Sequence, residues 1–205
     1  MFQAKKARGT SAEANRMDKE LVNVFAKTIE YKDEYTMDHS TRVADYSVEI
    51  AKQLQLQPIE IEVIYAAGIL HDIGKIGVKD HILQKPGALT HEEWHEVREH
   101  VNLGVQILKG IGGFEGVTSM VADHHERWDG KGYPSGKQAE EITLGGRILA
   151  VADAYDAMTS QRIYRNPLSQ EEAQQELKRY SNIQFDNQIV EAFIFVLSQE
   201  PRERL

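Results

Sequence analysis

"PIEIEVIYAAGILHDIGK", Pro58 to Lys75, decides how the chain folds. Proline suits the first turn of a helix, where its missing N–H costs no bond. Ile61, Ile64, Ala67 and Leu70 then recur every three or four residues, which is the helical period. The apolar run ends in His71 and Asp72, two side chains able to ligate a metal, and Lys75 follows Asp72 by one turn.

The same period extends on both sides of this segment. Val43, Tyr46, Ile50, Ala51 and Leu54 mark a helix from His39 to Leu54, and Leu21, Val22, Phe25 and Ile29 mark one from about Ser11 to Glu30. Thr90 with Glu93 three residues later reads as a capping box. The helix it opens is predicted to bury Trp94, Val97, Val101, Val105 and Leu108. Further helices are predicted from about Gly113 to His124, from Leu144 to Thr159, and over 169–180 and 186–199. Loops fall at 76–89 and 127–143. Strand-like alternation with hairpin turns is missing. The expected fold is all-α, a single helical bundle over 13–205, with 1–12 as a tail or the remnant of a linker.

Composition narrows the function. The chain has 205 residues, 41% hydrophobic and 27% charged, with a net charge of -8. This composition is globular and long enough to bury a core without staples. No long basic run is present, so nucleic acid polymers and anionic membranes are not expected partners. Cysteine is absent, which excludes disulfides, thiolate ligands and a cysteine nucleophile. No segment approaches the roughly 20 apolar residues of a membrane span. The lysines of "MFQAKKARGT" lead into no apolar stretch, so no signal peptide is read and the cytoplasm is the expected compartment.

Polar side chains stand where apolar ones belong. His39 lies one turn before the Val43/Tyr46 stripe. His71 and Asp72 end "AAGIL", His100 sits on the Val97/Val101/Gly104 side, and Asp153 is embedded in "ILAVADAYDAM". His124 and His125 stand side by side. Singly, each has an ordinary explanation: a hydrogen-bonded core histidine at 100, a helix start at 39, a solvated helix end at 124–125, an ion pair of Asp153 with Arg147. Jointly, five inward histidines and two inward aspartates on separate helices are too many unpaired polar groups for a core. Bundles build metal sites from such side chains. His81, His91 and His95 keep a surface reading. Imidazoles and carboxylates without thiolate suit iron, manganese, zinc or nickel. Seven ligands exceed one ion and fit two divalent ions sharing a carboxylate, with Asp72 as the natural bridge; such pairs clamp phosphoryl groups. Lys75, with Arg162 and Arg165 three apart, adds cations for an anionic, phosphate-bearing substrate. The loop "DGKGYP" after the paired histidines places Tyr133 near the metals, either against a ligand base or partner or packing the loop itself.

Taken in order, "DHSTRVADYS", "HDIGKIGV", "LQKPGALTHEEW", "REHVNLG", "HHERWDGKGYP" and "VADAYDAMTSQRIYR" resemble the HD-GYP family of bacterial cyclic di-GMP phosphodiesterases, a branch of the HD metal-dependent phosphohydrolases. The likeness runs from about residue 30 to 195. It implies that His39, His71, Asp72 and Asp153 hold one metal. Asp72 then bridges to a second held with His100, His124 and His125. It places Lys75, Arg162 and Arg165 on the substrate phosphates, with Asp72 and Lys75 in the catalytic role. Asp156 and Glu126 look like groups that orient ligands. The implied reaction is hydrolysis of cyclic di-GMP to pGpG and then GMP by a metal-bridged hydroxide. Other substrates stay open, among them cyclic GMP-AMP and pGpG. So does a binding role, since the family's GYP loop is implicated in docking to GGDEF-type proteins. An amphipathic N-terminal segment can pair with a second copy or pack on its own bundle. Two departures stand out. Tyr35 occupies the position where some members carry a glutamate for a third metal, which implies two metals here. "YSNIQFDNQIV" lacks the glycine that members carry before "QFD".

Overall fold

Helix α1 (His39–Gln53) and helix α2 (Pro58–Leu70) form the pair around which the rest is laid. The architecture is seen in a computed structural model, which describes residues 38–161 and 166–199 together with Val22, Val24, Phe25, Lys27, Thr28 and Lys32. Pro58 takes the first helical position of α2, and Gln57 with Glu60 closes a capping box ahead of it. α1 buries Val43, Ala44, Ser47, Ile50 and Ala51, and α2 buries Ile64, Ala67, Gly68, Ile69 and Leu70. The two backbones approach closely at Gly68, where a Cβ would lie 2.6 Å from Ala44 Cα. No larger residue fits there without moving a helix.

The chain continues through α3 (Asp80–Leu83), α4 (His91–Arg98), α5 (His100–Leu108), α6 (Glu115–Asp123), α7 (Leu144–Thr159), α8 (Gln170–Arg179) and α9 (Asn187–Gln199). Short 3-10 turns lie at Ile73–Gly77 and Ala139–Glu141, so the two expected loops carry some helical structure. No strand is formed among the described residues, apart from an isolated bridge between Ser181 and Phe185. The fold is an all-α bundle. α7 buries Ile148, Leu149, Val151, Ala152 and Tyr155. The Tyr155 ring meets Tyr46 and Phe193 edge to face, at centroid distances of 5.3 and 4.9 Å. Burying each such ring or large aliphatic side chain stabilises the fold by roughly 1.5–3 kcal/mol.

Three expectations need correction or placing. Thr90 does accept from Glu93 N–H in a capping box, but the helix it opens stops at Arg98. Glu99, with ψ of -13°, separates it from α5. The face therefore shifts: Val101 and Leu108 are buried, whereas Trp94 is 49% exposed and α4 buries nothing. The glycine departure before "QFD" resolves at Asn182, whose φ of 59° is left-handed. Asparagine tolerates that region better than most residues. The helix expected over Ser11–Glu30, the tail at 1–12, Tyr35, Arg162 and Arg165 lie outside the described residues; Val22, which is described, is buried in the core. No helix among the described residues is long and apolar enough to cross a membrane.

Candidate metal centre

His71, His100 and His124 are held in the same way. Each ring donates its Nδ1–H to the carbonyl three residues back: His71 to Gly68 O at 2.7 Å, His100 to Val97 O at 2.7 Å, His124 to Val121 O at 2.6 Å. A carbonyl can only accept, so the proton sits on Nδ1 and Nε2 offers its lone pair. All three residues are 1% exposed. His39 is held differently. Its Nδ1 lies 2.6 Å from Asp156 Oδ2, and Arg42 grips Asp156 through Nε and Nη2 while also donating to Ser160 Oγ. His125 packs its ring 4.0 Å from that of His124 and 4.9 Å from that of Tyr133.

Asp72 stands between these rings. Its Oδ1 lies 3.3 Å from His100 Nε2. Its Oδ2 lies 3.3 Å from His71 Nε2, 4.0 Å from His39 Nε2 and 2.7 Å from Lys75 Nζ. Two sets result, each with donor atoms mutually within 4.8 Å: Asp72 with His100, His124 and His125, and Asp72 with His39 and His71. Asp153 falls outside both sets and enters through His39, whose Nε2 is 3.3 Å from its Oδ1.

The donors fit divalent metal. His71 Nε2 is buried without a hydrogen-bond partner. His100 Nε2 and His124 Nε2 lie 3.4 Å apart, and with both Nδ1 atoms donating elsewhere, two lone pairs face each other. A cation between such pairs removes the repulsion, and imidazole with carboxylate is a ligand set for first-row ions. The buried His/Asp cluster can therefore bind metal.

Titration follows the same geometry. Burial pushes His124 well below the ordinary histidine range, and its neighbours His125, His71 and His100 push it further. Burial likewise lowers His100 against the pull of Asp72, and takes His125 down to about 4. These rings are neutral at pH 7 and ready to ligate. Burial also opposes a charge on His39, but hydrogen bonds to Asp153 and Asp156 outweigh it and raise that group to about 9. Burial opposes the charge on Asp72 too, yet Lys75, followed by His71 and His100, holds its carboxyl well below the usual range. Asp153 is held low by His39 in the same manner.

Around the centre, several side chains do other work than their sequence suggests. Glu126 hydrogen-bonds to the loop: its Oε1 accepts from the backbone N–H groups of Ser135 and Gly136 and so pins the segment after the paired histidines. Arg147 pairs with Asp186 at 2.6 Å and leaves Asp153 to His39. Tyr133 stacks on His125 with its ring tilted by 33°, and its hydroxyl is pushed up by burial and by Asp72 and Asp153. His81, His91 and His95 are exposed. Arg42 and Arg98 also border the centre. Arg42 lies one turn after His39, the only local hint; Arg98 lies over the Tyr133 ring at 5.0 Å and carries no local signal.

A family model described as "HD domain" matches residues 23–189, which includes every residue of both donor sets. The chain belongs to the HD domain family. This HD domain is 40% identical over 177 residues to a cyclic di-GMP phosphodiesterase of Thermotoga maritima, covering 85% of this chain and 48% of the relative. The chain thus spans about half the length of that relative. Among solved structures, a cyclic GMP-AMP specific phosphodiesterase of V. cholerae superposes with a TM-score of 0.57 at 33% identity, over 88% of this chain and 41% of the other. The HD domain of the L. monocytogenes phosphodiesterase PgpH matches with a TM-score of 0.60 at 17% identity, over 85% of this chain and 97% of that one, and so shares the fold.

Proposed function

We propose that this HD domain is a cytoplasmic, metal-dependent phosphodiesterase that hydrolyses cyclic di-GMP to pGpG and GMP. The observation that carries the reading is the placement of Asp72, whose two oxygens face two different imidazole sets. Relatives named as phosphodiesterases of cyclic dinucleotides support the substrate class. His39, His71, Asp72 and Asp153 would hold one divalent ion, and Asp72, His100, His124 and His125 a second, with iron or manganese as the first candidates and zinc or nickel compatible with the same donors. Bound there, the ions supply Lewis acidity and make water acidic enough to act as a nucleophile at neutral pH.

The protein's own groups do the rest. Asp156 and the three backbone carbonyls fix the imidazoles with Nε2 pointing inward, so little reorganisation is needed when ligands bind. Lys75 sits beside Asp72 with its side chain 20% exposed, placed to neutralise the charge that builds on a phosphodiester in the transition state. Arg162 and Arg165 add phosphate contacts. Tyr133 covers the His125 ring at the edge of the second donor set.

The test joins metal content to turnover. Protein purified without chelator should carry about two first-row ions per chain and convert cyclic di-GMP to pGpG and GMP. Asp72→Asn keeps the side-chain shape but removes the shared charge. It should lower metal content below about one per chain and slow turnover at least ~100-fold. Full hydrolysis by Asp72→Asn would sink the assignment. Two metals without turnover of cyclic di-GMP, but with turnover of cyclic GMP-AMP, would move the substrate and keep the site.

A further inference from the structure

Helix α4 has no buried residue in eight, yet one of its faces has a definite composition. His91, Trp94, His95 and Arg98 recur at the i, i+3, i+4, i+7 spacing that normally marks the packed stripe of a helix. Here the stripe lines an open groove of about 360 Å³. It holds an indole that is 49% exposed, two imidazoles and a guanidinium. Among the described residues, no carboxylate pairs with Arg98.

Arg98 links the groove to the edge of the metal centre. Arg98 lies over the Tyr133 ring at 5.0 Å, and that ring lies 4.9 Å from the ring of His125. His100, which faces Asp72 Oδ1, follows Arg98 by two residues. A nucleoside that extends from a phosphate at the donor sets past Tyr133 meets Arg98 and α4.

We propose that the α4 groove holds a guanine base of the nucleotide substrate, with Trp94 stacking on the base and Arg98 donating to its O6 and N7. This rests on the phosphodiesterase reading above and adds how the substrate is chosen. An exposed indole is a platform for any base. The guanidinium adds discrimination. Arginine stacked on an aromatic ring still has its in-plane N–H donors, and it is a donor only. Guanine presents two acceptors along one edge, O6 and N7, which match that fork; adenine presents an amino group beside N7, which opposes it.

Steady-state kinetics on the metal-loaded full chain separate base recognition from chemistry. Trp94→Ala should raise KM for cyclic di-GMP about tenfold with kcat within about twofold, and Trp94→Phe should recover most of the loss. Arg98→Lys should cut the preference for cyclic di-GMP over cyclic di-AMP about tenfold. Neither variant should alter kcat for bis(p-nitrophenyl) phosphate, a diester without bases whose aryl rings could stack on Trp94 and so change KM. An unchanged KM in Trp94→Ala, or an equal loss of kcat on the base-free diester, would overturn the proposal. A binding arm needs no turnover. The chain has 2 tryptophans, so Trp128→Phe leaves Trp94 as the sole reporter. GMP should quench its fluorescence and ribose 5-phosphate should not. If cyclic di-GMP is not hydrolysed but GMP still quenches, the substrate reading falls and the groove stands. If cyclic di-GMP is hydrolysed and Trp94 is indifferent to it, the groove falls alone.

Discussion

His39 and His125 lie on opposite sides of their ordinary value, at about 9 and about 4, and this sets how protein stripped of metal responds to pH. His39 binds its proton more tightly folded than unfolded. Its contribution is complete below about 6.5 and is lost as pH rises through about 9. His125 resists its proton when folded. Its contribution is complete above about 6.5 and is lost as pH falls towards about 4, with His100 and His124 acting in the same direction. His125 alone is worth up to about 3 kcal/mol over that range, against a total of roughly 5–15 for a domain. Urea midpoints of chelated protein at pH 4.5, 6.5 and 8.5 should therefore peak near 6.5 and fall more on the acid side; a flat acid limb would contradict the burial of the three rings. The inward histidines are legible because His39 and His100 adjoin apolar helical stripes, His71 ends one, and His124 and His125 stand side by side at a helix end. Their tautomers are not, since every helical residue has a carbonyl three positions back. Arg42 escaped because its partner, Asp156, lies 114 residues further on.

The turn that carries the HD pair depends on one close approach. A Cβ at Gly74 would lie 1.8 Å from His100 O, so the 3-10 turn Ile73–Gly77 can rest on α5 only without a side chain there. That contact fixes Asp72 against His100. Gly74→Ala should destabilise the protein by about 2–3 kcal/mol, as overpacking against backbone does, and lower its metal content. Gly112→Ala is the control, because nothing lies within 4 Å of its Cβ position. Equal urea midpoints and metal content for the two variants would show that the turn can move without harm to the site. The break at Glu99 shows where periodicity fails as a guide. Trp94, Val97, Val101, Val105 and Leu108 form one stripe only if the helix is continuous. A single residue at ψ of -13° rotates the first part away, so Trp94 faces the groove and Val101 the core. No residue at 99 announces this, as glutamate is a good helix former.

The donor sets draw on the start of α1, the end of α2, the start of α5 and the end of α6, and α7 adjoins them through Asp153, 3.3 Å from His39 Nε2. Bound ions would therefore tie together segments from His39 to Asp153 that otherwise meet through apolar contacts and a few polar ones, such as Arg42 with Asp156. They would also quench repulsion that the fold by itself must bear, since His100 and His124 present lone pairs to each other at 3.4 Å. An ion that binds only the folded state adds RT ln(1 + [L]/Kd), about 3–4 kcal/mol when free metal is 100 to 1,000 times Kd. A domain of this length gains roughly 2–4 °C in Tm per kcal/mol. Chelation should thus lower Tm by roughly 10 °C per tightly held ion, and readdition of iron or manganese should restore it. Asp72→Asn, which weakens both sets at once, should start near the chelated value and respond little to chelator. The comparison of scanning calorimetry with metal analysis on the same samples decides the matter. If the wild-type protein holds about two ions yet melts at the same temperature after their removal, the ions contribute to chemistry without bracing the bundle, and the direct contacts of α1, α2 and α7 carry the stability by themselves.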